Sequence, residues 1–181
     1  LMPMAIERTL AIIKPDGTSR NIVGDVISRF ERAGLKLIAL KMLNADITIM
    51  KKQYPDSMAK SVGEKSAKAG EAEAKENPEA YGLKVLNWLR AFMSSGPVVP
   101  MILEGENAIS AAREIAGFTD PSAAKPGTIR RDFSTDSILA ANKEKRPVKN
   151  VVHLSGNMEE AKTEIAIWFT TREFVSRVPQ K

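Results

Sequence analysis

Four short apolar runs, each bracketed by turn residues and separated by helical periodicity, constrain this chain most. "TLAIIK" (9–14) has the character of a buried strand, stopped by Pro15, Asp16 and Gly17. "LKLIALKML" (35–43) alternates as a second strand, and "GPVVPMILEG" (96–105) is a third bracketed by glycines. "NVVHLS" (150–155) is a fourth. Between the first two, "NIVGDVISRFERAG" puts Ile22, Val23, Val26, Ile27 and Phe30 on one helical face, with Gly34 free to cap the end. Leu83, Leu86, Leu89 and Met93 have the same spacing ahead of the third run. "NAISAAREIAG" reads as a short helix capped by Asn107. The fourth run leads into "NMEEAKTEIAIWF", capped by Asn157, with Met158, Ala161, Ile165 and Trp168 on one face.

Two stretches depart from this alternation. Residues 55–82 are rich in Ala, Glu, Lys, Ser and Gly, and their mixed charges predict a partly helical, mostly exposed insertion. Residues 117–149 form a long irregular segment, and loops of that length in compact domains are usually functional or disordered. With both set aside, the order reduces to βαββαβ: an α+β domain with one four-stranded antiparallel sheet and helices packed on it. Length and the absence of repeats or linker composition predict a single domain over 1–181. The opening "LMPM" reads partly as residues placed ahead of the natural start, since Leu1 is no initiator.

Composition removes several chemistries. The chain has no cysteine and one histidine, His153, which rules out thiolate catalysis and makes a transition-metal site an unpromising reading. No apolar run approaches the ~20 residues that cross a bilayer, and no signal-peptide pattern opens the chain, so a cytoplasmic protein is expected. Glycine spacing matches neither a P-loop nor a dinucleotide fingerprint. The net charge of +5 is concentrated: Lys125 to Lys149 holds seven basic residues against three acids, for a local net of +4 just upstream of His153. Such a field favours an anionic ligand, a polyphosphate or a nucleic acid.

A dispersed set of residues suits that ligand. Lys14 ends the first strand, Arg113 lies on a short helix, Thr119 and Arg130 lie on the long loop, and Asn150 begins the fourth strand. Lysine binds phosphate as a point charge, arginine as a fork, and threonine or asparagine as neutral partners. Taken singly each is a plausible surface residue; they become informative if the fold gathers them around His153. Imidazole titrates near neutral pH, so a neutral ring nitrogen can attack phosphorus in a covalent two-step transfer. Its other nitrogen then needs an acceptor, which Glu164 can supply by folding back from the following helix. Ser155 shares the sheet face of His153 if the strand continues.

These residues lie in blocks that resemble the nucleoside diphosphate kinase family: "ERTLAIIKPDG", "RFERAGLKLIALK", "SGPVVPMILEGENA", "KPGTIRRDF" and "NVVHLSG…EIAIWF", in this order from Glu7 to Phe169. The insertion after Tyr54 and the longer "STDSILAANKEKRPVKN" segment resemble the archaeal-type subgroup. The resemblance implies a ferredoxin-like domain assembled as a homohexamer, or as a dimer or tetramer of the same protomer. It implies ping-pong transfer of a phosphoryl group from a nucleoside triphosphate to a nucleoside diphosphate. Carried onto this chain, His153 is the nucleophile, Glu164 orients its ring and Ser155 supports Glu164. Lys14 and Tyr54 approach the transferred group; Arg113, Thr119 and Arg130 bind phosphates; Asn150 and Lys14 reach the sugar hydroxyls. Magnesium (Mg2+) is expected on the nucleotide phosphates rather than in a protein cage.

The chain also departs from the family. Leu154, Gly156 and Asn157 follow the histidine where a small residue and an aspartate are usual, and Arg131 replaces a glycine. The base-stacking aromatic position falls on Val85, which predicts loose base contact and little base preference. The altered residues leave open a regulatory module that has lost activity. A basic nucleic-acid-binding module on the same topology is the other alternative, but the strand runs lack the exposed aromatics such sheets use, so nucleic-acid binding is expected to be weak and secondary.

Overall fold

The structure, a computed structural model, describes residues 5–175; the "LMPM" start lies outside them. Strand β1 (Ile6–Ile13) leads through a single-turn helix α1 (Pro15–Thr18) into α2 (Val23–Arg32), followed by β2 (Lys36–Leu40) and α3 (Ile47–Gln53). Helices α4 (Ala59–Lys68), α5 (Ala72–Glu76) and α6 (Pro78–Met93) precede β3 (Val99–Glu106) and α7 (Ala108–Ala116). Helices α8 (Ile129–Phe133) and α9 (Ile138–Lys143), then β4 (Val152–Leu154) and α10 (Met158–Trp168), complete the order.

The sheet order is β2-β3-β1-β4 and every pairing is antiparallel, the ferredoxin-like arrangement expected from βαββαβ connectivity. β1 lies between two neighbours, and its second half from Leu10 to Ile13 is covered on both faces, which is why that run is continuously apolar rather than alternating. Strand alternation divides two cores. Ala11, Ile13, Val152 and Leu154 point toward α2 and α7, where Val26, Phe30 and Ala112 meet them. Leu10, Ile12 and Ile102 point toward α3, α6 and α10, meeting Met50, Leu86 and Trp168. His153, between Val152 and Leu154 and paired in register with Ile12, therefore faces the second side, under α3 and α10.

Several local expectations change. Asn107 sits in the left-handed region with φ 48° and makes no side-chain cap. The Glu7 carboxylate on β1 caps α7 instead, accepting from Ile109 N at 3.1 Å. Asn157 does cap its helix, accepting from Glu160 N at 2.9 Å. Met158 and Leu83, read as core-facing, are exposed. The fourth strand starts at Val152, leaving Asn150 just outside it. The irregular segment 117–149 holds α8 and α9, and the insertion contains α4 and α5, with α6 beginning at Pro78 inside its expected span.

The insertion is also less exposed than its composition predicts. Ala59, Gly63 and Ser66 of α4 are buried. A Cβ on Gly63 would stand 1.7 Å from the Pro78 carbonyl oxygen, and one on Gly82 1.7 Å from that of Ala59. Backbone therefore packs against backbone where α4 crosses α6, and only glycine allows that approach.

Candidate active site

The chain turn at the end of β1 and the chain entry to β4 are tied together by backbone bonds. Pro15 ends the strand because it has no N–H to donate. Lys14 N donates to Val151 O at 2.8 Å, and Val151 N donates to Asp16 Oδ2 at 2.9 Å. Val152 N donates back to Asn150 O at 2.8 Å, a γ-turn that holds Val151 at φ 74°, strained for a β-branched residue. This clamp brings Asn150 beside Lys14. The buried Lys14 ammonium donates to Asn150 Oδ1 at 2.8 Å, and Asn150 Nδ2 donates to Thr119 O at 2.8 Å. Burial lowers the Lys14 pKa to about 8; nearby Asp16 opposes the shift and Arg130 adds to it.

His153 retains 20% of its side-chain exposure, and its Nε2 is bonded to Glu164 Oε2. Glu164 shares the buried face of α10 with Ala161 and Trp168, a carboxylate on an otherwise apolar stripe. Burial alone would raise its pKa, but the positive charge His153 can carry and hydrogen bonds from His153 and Gln53 outweigh it, with a smaller contribution from Ser155, and hold the carboxyl below its usual value. The Ser155 hydroxyl is fully buried and close to this carboxylate, although it makes no bond of ordinary hydrogen-bond geometry. The Tyr54 ring stands edge-on to the imidazole, with centroids 6.0 Å apart and planes at 83°. Its buried hydroxyl has no hydrogen-bond partner, and burial raises its pKa well above that of free tyrosine.

Arg130 is buried, with Nη1 donating to Gly117 O at 2.9 Å and Nη2 to Val152 O at 2.7 Å. Its Nε has no partner, and burial, followed by repulsion from Arg113, brings its pKa down to about 10. Two cations held this close, one of them desolvated, form a site arranged for an anion. Lys14, Tyr54, Arg113, Thr119, Arg130, Asn150 and His153 all line one cavity of about 450 Å³, whereas Glu164 and Ser155 stand behind the imidazole. Val85, Val62 from α4 and Ile138 from α9 also line this cavity. A larger hollow of about 900 Å³ beside α1 includes none of Lys14, Arg130 or His153, so the convergence of functional groups, and not size, marks the site.

Gln53, Lys65 and Arg90 carry no signal in the sequence, and Arg146 stands there only as one member of the basic run. Gln53, at the end of α3, donates to Glu164 Oε2 at 2.5 Å and accepts from Trp168 Nε1 at 2.7 Å. Lys65 of α4 and Arg146 line the cavity, so the insertion belongs to the site rather than to the surface. Buried Arg90 holds the Tyr54 carbonyl through Nε at 3.0 Å and Asp56 at 2.7 Å. The unusual residues around the histidine, Leu154, Gly156 and Asn157, line the same cavity as His153. Leu154 is buried in the core against α2 and α7 while also lining the cavity, and Arg131 reaches the Ser122 carbonyl at 3.2 Å. Gly156 N donates to Glu160 Oε2 at 2.7 Å, tightening the entry to α10.

Comparison with known proteins agrees with this geometry. The pattern of the nucleoside diphosphate kinase family matches residues 7–174. Nucleoside diphosphate kinase of Pyrobaculum aerophilum is 42% identical over 180 residues, covering 94% of this chain and 98% of the relative. The enzyme of the same name from Sulfurisphaera tokodaii is 37% identical, covering 98% of both. Among solved structures, an NDP kinase from Pyrobaculum aerophilum superposes with a TM-score of 0.89 at 40% identity, covering 95% of this chain and all of the other. A transition-state mimic of nucleoside-diphosphate kinase from Borrelia burgdorferi with bound vanadate and ADP gives 0.81 at 38% identity, covering 96% and 93%. With a single histidine backed by a carboxylate in a basic cavity, and with matches of this extent, the chain belongs to the nucleoside diphosphate kinase family.

Proposed function

We infer that this protein is a nucleoside diphosphate kinase, which moves the γ-phosphoryl group of a nucleoside triphosphate to a nucleoside diphosphate through a phosphohistidine at His153. The observation that carries this reading is an imidazole with one nitrogen engaged by Glu164 at the wall of a cavity lined with cations. With Nε2 committed to the carboxylate, Nδ1 is the nitrogen left to react.

In the first half-reaction the Nδ1 lone pair attacks the γ-phosphorus. The bond from that phosphorus to the β–γ bridging oxygen breaks, its electron pair leaves on the oxygen, and the nucleoside diphosphate departs. The ring becomes positive as the N–P bond forms, and Glu164 offsets that charge. In the second half, a terminal phosphate oxygen of the incoming diphosphate attacks phosphorus, and the N–P electron pair returns to Nδ1. Little covalent work falls to the protein, so positioning and charge neutralisation dominate. Arg113, Arg130 and Thr119 hold phosphates, Lys14 and the unpartnered Tyr54 hydroxyl approach the transferred group, and Asn150 with Lys14 meets the sugar.

The lining cations suit phosphate oxygens, and Glu160 is the single carboxylate among the residues lining the cavity. Magnesium would therefore take its oxygens chiefly from the nucleotide, with Glu160 as the protein carboxylate within the cavity, and would supply charge neutralisation on the phosphates. The base would lie between Val85, Val62 and Ile138, an apolar slot with no aromatic stack, in keeping with little base preference. A homohexamer, or a dimer or tetramer, and a cytoplasmic location accord with this reading; among the described residues no helix is long and apolar enough to cross a membrane. Helices pack on both faces of the central strands, and the exposed residues of β1 and β2, Ile6, Arg8, Lys36 and Leu40, include no aromatic on which RNA bases could stack, which disfavours the nucleic-acid-binding alternative.

The test is incubation with γ-labelled ATP and magnesium. Acid-labile label should appear on the protein, pass to added GDP, and be absent from His153→Gln. Wild-type protein that binds ATP but takes up no label would overturn the reading.

A further inference from the structure

We propose that Gln53 is a positioning residue that locks the Glu164–His153 pair in the tautomer leaving Nδ1 free to react. The proposal deepens the phosphohistidine reading and rests on it for its functional consequence.

The argument starts at Trp168. An indole N–H can only donate, so it must meet the oxygen of the Gln53 amide, and Trp168 Nε1 lies 2.7 Å from Gln53 Oε1. That contact fixes the orientation of the amide, which would otherwise be open to a flip. The NH2 end is thereby turned toward the histidine side, 2.5 Å from Glu164 Oε2 and 3.2 Å from His153 Nε2. Glu164 Oε2 thus receives a donor from Gln53 and lies against His153 Nε2 as well.

An amide NH2 offers no lone pair, and an ionised carboxylate offers no proton. The proton between His153 and Glu164 must therefore reside on Nε2. Gln53 holds the carboxylate oxygen on the line where it can accept that proton, and Trp168 holds Gln53. The whole chain is buried: Gln53, Glu164 and Trp168 are 5%, 7% and 3% exposed. Water is thus poorly placed to substitute for a lost donor. Nothing in the sequence marks Gln53, which lies between Lys52 and Tyr54 on a short helix.

The single histidine makes the test direct. With ring 15N-labelled histidine, His153 gives the only imidazole signals of the protein. The unphosphorylated wild type should show one protonated and one unprotonated ring nitrogen without tautomer averaging. Gln53→Met, of similar length but unable to donate, should shift both signals toward averaged values. Phosphorylation of the protein by saturating ATP should slow about 10–100-fold, the usual cost of losing a group behind a reacting ligand, with KM for ATP changed less than about twofold. Gln53→Glu still accepts from Trp168 but sets a carboxylate against Glu164, and should be slower than Gln53→Met. Trp168→Phe frees the amide to turn and should fall between wild type and Gln53→Met.

A role in filling space alone predicts that Gln53→Met retains the wild-type nitrogen pattern and rate, and that result overturns the proposal. If Gln53→Met does not fold, Trp168→Phe decides in the same way: a wild-type nitrogen pattern and rate in that variant overturn the proposal. The nitrogen spectra need no phosphoryl transfer, so their outcome is distinct from failure of the kinase reading, which would appear as no label on the wild type.

Discussion

Burial places the Lys14 ammonium at a pKa of about 8 against its ordinary 10.5, close to physiological pH. A folded chain with this lysine binds fewer protons than the unfolded chain between those two values. Stability of the ligand-free protein therefore rises as pH climbs through that window. A polyphosphate requires the charged form, so ligand affinity moves oppositely and weakens as pH rises past about 8. Calorimetric titration of ATP at pH 8 in two buffers of different ionisation enthalpy should reveal net proton uptake, missing in Lys14→Met. Equal heats in both buffers for the wild type would count against a role for this lysine in binding. Lys14→Met should also slow transfer on the order of 10²–10³-fold, as loss of a positioned charge-stabilising donor does. At this scale most of the candidate site can be read from the sequence. His153, Glu164 and Lys14 stand in ordered blocks with recognisable chemistry, and the structure brings them to one cavity or directly behind it. Gln53 cannot be read that way, because its importance comes from three partners at distant positions and from no local pattern.

The elements were legible where burial depends on large apolar side chains and obscure where it depends on small ones. The strands of the sheet and α2 show their faces through Ile, Leu, Val and Phe. Helix α4 buries Ala59, Gly63 and Ser66 instead, small residues that leave no periodic stripe of large apolar side chains to read. Its packing on α6 depends on Gly63 and Gly82, where an added Cβ would meet carbonyl oxygens at 1.7 Å. Backbone atoms cannot rotate aside, so Gly63→Ala and Gly82→Ala should each destabilise by about 1–3 kcal/mol or more, the usual cost of overpacking. Chemical denaturation measures that loss. Because α4 carries Val62 and Lys65 into the cavity wall, both variants should also weaken ATP binding while leaving the His153 ring-nitrogen pattern intact. Unchanged stability would mean that the two helices can separate at little cost.

Across the whole molecule, the cavity joins parts that no sequence window contains together. Val62 comes from the insertion, Ile138 from the long segment, Lys14 and His153 from the sheet, and Arg113 from the opposite layer. Proximity among these parts follows from strand order β2-β3-β1-β4, which sets the ends of β1 and β4 side by side. A ligand seated there contacts all of them, so it should stabilise the folded chain as a unit. At a concentration 100 times its dissociation constant, a ligand that binds only the native state adds about 2.7 kcal/mol. For a chain of this length each kcal/mol raises the midpoint by roughly 2–4 °C, so ADP should raise thermal unfolding by about 5–11 °C. Adenosine at the same concentration should give little shift, since without phosphates it cannot engage Arg113 or Arg130. The exposed Arg113 can be removed without leaving a buried partner unpaired. Arg113→Ala should therefore keep the midpoint of the free protein but reduce the increment from a fixed concentration of ADP. An adenosine shift as large as that from ADP would assign binding to the apolar wall formed by Val62, Val85 and Ile138, and the basic residues would then need another explanation.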